Sequence, residues 1–445
     1  MKKSTLTLAV ALGVLAQQAG AAGFIEDSKA TLKLRNFYIN NDNRNANSGN
    51  TQKEWGQGFQ LDFASGFTEG TVGFGVDAIG LLGVRLDSSK AHHGNASSDS
   101  YGGIVFPTKG NGEAVNDYSS LGATAKVKVS QTILSYGTLL PKTPVISYND
   151  GRLLPQTFEG GQIVSNEIKD LTLTAGQIEH VKGRNSSNNE GLSIAGANKS
   201  TNFRTGEYSN QFRYAGADYK LTKDLLVQYW YGGLENFYNQ HFLGAVHNWA
   251  IGPGVLKSDF RYFHSTDDGK NGDTPAWYTT GYYPNQTNKT SGKVDNDLYS
   301  ALFLYTVAGH TFGGGYQVSN GDSDFPWLNQ GDGSSNYTIT DSQIQKFGRA
   351  GERTWQARYA YDFAKVGLPG ATAGVTYLYG DNIETTTNDR REWERDITLA
   401  YVVPEGTLKG LGVMWKNAVW RSDLSATNHA QDENRLILSY SIPLL

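Results

Sequence analysis

In Leu32-Lys33-Leu34-Arg35 and Ala125-Lys126-Val127-Lys128-Val129, basic and apolar side chains alternate without a break. A β-strand sends successive side chains to opposite faces, so each stretch predicts one apolar face and one cationic face. The same period runs through Phe59–Phe63, Thr71–Asp77, Tyr299–Val307, Phe312–Val318, Trp355–Tyr359, Ile397–Tyr401 and Arg435–Ile442. A pattern of this kind, kept up along 445 residues, is what a membrane wall with a polar lumen requires.

The rest of the composition narrows the choice. The chain has no Cys, which excludes a disulfide framework and any thiolate nucleophile or metal site. Past residue 22 no apolar run approaches the 18 or so residues of a transmembrane helix, yet barrel strands need only about ten alternating residues each. Tyr 25, Phe 19, Trp 9 and Gly 53 suit interfacial girdles and tight turns. A formal charge of −4 gives no basis for nucleic-acid binding, which favours a basic chain. At the start, Met1-Lys2-Lys3, the apolar run Leu6 to Ala16 and Ala19-Gly20-Ala21 read as a secretory signal, residues 1–21. The expected mature unit is then a single barrel, 22–445, with no linker or second domain.

Short turns such as Ser65 to Gly70 alternate with long polar stretches, among them Ser88–Asp117, Arg184–Thr205 and Ser319–Arg353. That asymmetry between the two ends is typical of outer-membrane barrels. At roughly 20–25 residues per strand and loop, about 16–18 strands fit, a number that leaves an open lumen. Gly137–Gly161 breaks the alternation and carries Pro141, Pro144 and Pro155, which cannot donate to a ladder. It reads as a loop, either folded inward to narrow the pore or lying at the surface.

Alternation places Lys33, Arg35, Lys126, Lys128, Arg213, Arg358, Lys416 and Arg435 opposite Leu34, Val127, Val129, Tyr214, Tyr359, Trp415 and Leu436. A charge on the lipid face costs about 2–4 kcal/mol at mid-bilayer, so the cations are expected to face the lumen. Asp62, Asp77 and Asp396 sort inward by the same argument. An excess of basic groups there would concentrate anions and select for them.

Several stretches resemble one known family, the OprD-like (Occ) outer-membrane channels of pseudomonads. They include Gly23-Phe24-Ile25-Glu26-Asp27-Ser28, Gly66-Phe67-Thr68-Glu69-Gly70, Arg152-Leu153-Leu154-Pro155-Gln156-Thr157, Trp355-Gln356-Ala357-Arg358-Tyr359 and Asn434-Arg435-Leu436-Ile437. The resemblance spans the chain in order. It implies an all-β, 18-stranded, monomeric barrel among outer-membrane lipids, with inward-folded loops forming an eyelet. It also implies a ladder of basic residues guiding small carboxylate solutes, and no cofactor. Arg152 matches the eyelet arginine, while Lys33, Arg35, Lys126, Lys128, Arg358, Lys416 and Arg435 fall on the ladder. Met414 and Ala400 stand where the amino-acid-importing branch carries basic residues. Lys346 stands where basic-amino-acid channels carry an eyelet aspartate, although Asp341 could supply an acid. This implies a preference for simple or cyclic monocarboxylates over arginine or lysine.

Three other readings compete. A general diffusion porin and a basic-amino-acid channel share the fold. An outer-membrane enzyme would need a nucleophile held against a base, but the His residues are scattered, and Gly321-Asp322-Ser323 has no such partner in sequence. Adjacent His92 and His93 are poorly placed to share a metal.

Overall fold

In the computed structural model, residues 23–44, 51–93, 103–194, 208–274, 293–328, 335–385, 388–424 and 430–445 are described; the expected signal segment lies outside them. Their strands form one 18-stranded antiparallel sheet. The strands are β1 (Lys29–Asn43), β2 (Thr51–Ala64), β3 (Val72–Asp87), β4 (Asp117–Val129), β5 (Thr132–Leu139) and β6 (Thr157–Ser165). Then come β7 (Leu171–Lys182), β8 (Phe212–Lys220), β9 (Leu225–Leu234), β10 (Tyr238–Ile251), β11 (Gly254–Asp267) and β12 (Asp295–Val307). The last six are β13 (His310–Asn320), β14 (Arg353–Asp362), β15 (Ala371–Ile383), β16 (Arg390–Val402), β17 (Gly412–Ser422) and β18 (Ala430–Pro443). Because β1 pairs with both β2 and β18, from Thr31↔Pro443 to Asn43↔Gln431, the sheet closes on itself.

One end of the barrel carries the tight turns. Between β12 and β13, Ala308 and Gly309 both have positive φ, 51° and 87°, the geometry of the hairpin turn that matches strand twist. At the other end run the long connections 88–116, 140–156, 183–211, 268–294 and 321–352.

The outward face is apolar, with Phe74, Leu121, Leu243 and Phe312 more than half exposed. Aromatic rings gather in two bands. Trp355, Tyr377 and Trp393 stack near the long-loop end, with centroids 5.4 and 5.9 Å apart. Phe312, Tyr359 and Tyr361 lie near the tight-turn end, where Phe312 and Tyr359 are 5.3 Å apart. Such bands mark the two borders of a hydrocarbon layer.

The interior is not simply water. Loop 140–156 and loop 321–352 enter it, and Val145, Ile146, Phe325 and Trp327 pack there on inward Phe158, Phe212, Trp230, Phe242 and Phe263. A second cluster joins Val105 and Phe106 to Leu153, Leu154, Phe37, Ile39 and Tyr118. Two bare positions on β2 let these loops lie on the wall. A Cβ on Gly58 would stand 2.9 Å from the Leu153 carbonyl oxygen, and one on Gly56 would stand 2.7 Å from the Phe106 ring.

Two expectations are corrected. Residues 137–139 and 157–161 belong to β5 and β6; Gly137, Gly160 and Gly161 lack the side chains that display a period of two. The intervening loop does fold inward. Arg213 faces outward, not into the lumen. Its neighbours Phe212 and Tyr214 are the inward pair, at 0% and 2% exposure, with the Tyr214 hydroxyl donating to Gln162 at 2.8 Å. The rule that sends aromatics toward lipid fails where loops build an apolar core inside. Arg213 instead binds Gln177 at 3.2 Å and Gln211 near the long-loop end of β8.

Candidate functional site

Strand alternation delivers the remaining cations to the lumen, where most are already engaged. Lys33 on β1 meets Asp62 on β2 at 2.6 Å. Lys126 on β4 meets Asp77 on β3 at 2.5 Å and donates to the Ser65 carbonyl. Both Lys126 and Lys128 lie over the Phe67 ring, at 5.0 and 5.5 Å. Lys416 on β17 is the register partner of Arg435 on β18 and has no bonded acid among the described residues. Ala400 and Met414 are register partners below it, so the wall there carries no charge.

Loops 140–156 and 321–352 meet inside the barrel. Arg435 is the joint. Its Nη1 donates to the Gly151 carbonyl at 3.1 Å and its Nη2 to the Gln343 carbonyl at 3.2 Å, while Nε holds Glu433 at 2.6 Å. Arg35 grips Asp150 with two bonds and donates to the Arg152 carbonyl at 2.7 Å. Arg152 itself turns to the Ile104 carbonyl at 2.7 Å, which ties the eyelet loop to loop 88–116. Arg184 reaches Asn149 at 2.8 Å.

Wall carboxylates hold the second loop by its backbone. Glu394 accepts from Ile344 N and Gln345 N, both at 2.8 Å, and Asp396 accepts from Gln343 N at 3.1 Å. Glu433 accepts from the Gln343 side chain at 2.9 Å. On the far side, Arg358 donates to the Ile339 carbonyl at 2.6 Å, and Arg261 donates to the Tyr337 carbonyl at 2.9 Å while covering its ring at 4.0 Å. Lys346 pairs with Asp341 within the same loop.

Arg35, Arg358 and Arg435 therefore hold loops in position inside the barrel. Sequence reasoning missed this anchoring work of Glu394, Asp396 and Glu433, together with Asp150, Arg184 and Arg261. A signal existed: Glu392-Trp393-Glu394-Arg395-Asp396 puts three acids on one strand face, far more charge than wall solvation needs. His93 binds Glu54 at 2.7 Å and Thr108 at 2.8 Å, a buried pin for loop 88–116.

Comparison with known proteins agrees with this architecture. The description "outer membrane porin, OprD family" matches residues 22–444. Porin-like protein GalP of Pseudomonas putida is 35% identical over 99% of this chain and 97% of its own, and Porin D of Pseudomonas aeruginosa is 31% identical over 100% and 99%. Among solved structures, Pseudomonas aeruginosa OccK8 (OprE) superposes with a TM-score of 0.85 at 60% identity, covering 95% of this chain and 100% of that one. Pseudomonas aeruginosa OpdK, solved with vanillate, superposes with a TM-score of 0.81 at 35% identity over the same shares. This chain belongs to the OprD family of porins, non-enzymatic β-barrel channels of the bacterial outer membrane.

Proposed function

We propose that this porin passes small carboxylate-bearing solutes, and ring-containing monocarboxylates ahead of basic amino acids. The observation that carries the reading is the Lys346–Asp341 pair. The acid that could meet a cationic headgroup at the constriction is covered by a lysine of its own loop. A solute bearing a single carboxylate needs no such acid. It would step between Arg152, Lys416 and the partly exposed Arg35, with contacts strong enough to draw it in and weak enough to release it. Vanillate, found with the related OpdK, is a ring-bearing carboxylate of this class.

Transport is passive and the barrel acts as a single pore. The test is uptake of radiolabelled benzoate and arginine into proteoliposomes holding the purified barrel. Benzoate should enter faster. Faster arginine entry would overturn the selectivity, and equal entry of both with neutral solutes of the same size would favour a general diffusion pore.

A further inference from the structure

Among the described residues, Arg395 is an outward-facing arginine to which the barrel itself brings no acid. Glu394 and Asp396 both point inward, where they hold Ile344, Gln345 and Gln343, so alternation turns Arg395 to the lipid side. Its register neighbours there are Tyr377 and Val419. Its one bond among the described residues runs from Nη2 to Asn417 Oδ1 at 2.6 Å, and its Nε has no partner. Three neighbouring outward arginines are neutralised. Arg421 and Arg44 share Asp432 at 2.6 and 2.7 Å, and Arg391 faces Asp423 at 3.5 Å.

Polar groups continue sideways from Arg395. Asn417 donates to Asn434 at 3.0 Å, and Asn434 is the register partner of outward Asn40, whose Oδ1 is unpartnered. The row lies beside the Trp355–Tyr377–Trp393 band, at the border where headgroups begin. A lone guanidinium in that position is costly unless an anion meets it, and its planar fork suits phosphate oxygens. The amides beside it can bind the ester and hydroxyl groups next to such a phosphate.

We propose that Arg395, Asn417 and Asn434 form a binding site for the phosphate of an outer-leaflet lipid. The test is native mass spectrometry of the full-length barrel released from detergent, after incubation with diphosphorylated lipid A, its dephosphorylated form, or inorganic phosphate. One lipid A should stay bound to the unaltered protein, the dephosphorylated form should not, and Arg395→Gln should lower retention about tenfold, the worth of a charge-assisted bond. Arg213→Gln, on another sector, should leave retention unchanged. Asn417→Ala should act in the same direction as Arg395→Gln and serves in its place should that variant not fold, folding being read from heat-modifiable gel migration. Equal retention by both folded variants, equal retention of the dephosphorylated lipid, or displacement of the lipid by inorganic phosphate would overturn the site. A paired-barrel species lost in Arg395→Gln would do the same and give the patch to a second copy.

Discussion

The guanidinium of Arg35 holds the Asp150 carboxylate through two nitrogens, at 2.6 and 3.0 Å. A cation on the strand wall thereby fixes the position of the loop that narrows the pore. Bidentate pairing of this kind sets geometry as well as energy. Changes to lumen arginines are therefore expected to alter pore shape along with pore charge.

Arg435→Ala should loosen both inner loops at once, because one side chain serves Gly151 and Gln343. It also strands buried Glu433, at a cost on the order of 3 kcal/mol. Planar-bilayer recording should show larger and noisier currents, and the folded gel band should convert at a lower temperature. Wild-type current levels would mean that the loops are held without it.

Arg152→Ala removes the bond to the Ile104 carbonyl and a positive group from the eyelet. Conductance should rise while the preference for carboxylate over chloride falls. No change in either would place Arg152 away from the constriction.

Lys346→Ala uncovers Asp341. Reversal potentials should move toward cations, and arginine uptake should gain on benzoate severalfold. An unchanged ratio would show that this pair does not set selectivity.

Burial, and then the like charge of Glu392, hold the Glu352 carboxyl well above the usual carboxylate range. A raised carboxyl favours the protonated native state. Its contribution to stability is complete on the acid side and is lost as pH rises through the folded-state value. Heat resistance of the wild type should therefore fall toward alkaline pH, while Glu352→Gln, neutral throughout, should fall less. Parallel curves for the two proteins would refute the assignment.

Gly58→Val should lift loop 140–156 off the wall, since the new Cβ would meet the Leu153 carbonyl oxygen. Overpacking of this kind costs about 1–3 kcal/mol. A lower conversion temperature on gels, with Gly80→Val as an outward control, measures it.

Much of the wall was legible because alternation is a local property. Lys33, Lys126, Lys128 and Arg358 lie between apolar neighbours, Arg35, Lys416 and Arg435 beside one, and all seven face the lumen. Arg213 was misread because Phe212 and Tyr214 pack on loop residues more than sixty positions away, Val145 and Ile146 among them, and no local period encodes that. Arg152, Lys346 and Asp341 stood out only through the family resemblance, and the way the inner loops connect was not legible at all. That Gly151 and Gln343 meet on a single guanidinium depends on how two loops, separated by most of the barrel, fold toward each other.

The seam between β1 and β18 has a consequence for biogenesis. The strand that completes the wall, β18, follows every other strand in the chain, and until it pairs β1 presents an open edge of unpaired amides. Closure needs the first and the eighteenth strand together, and deletion of β18 should leave no partial pore at all.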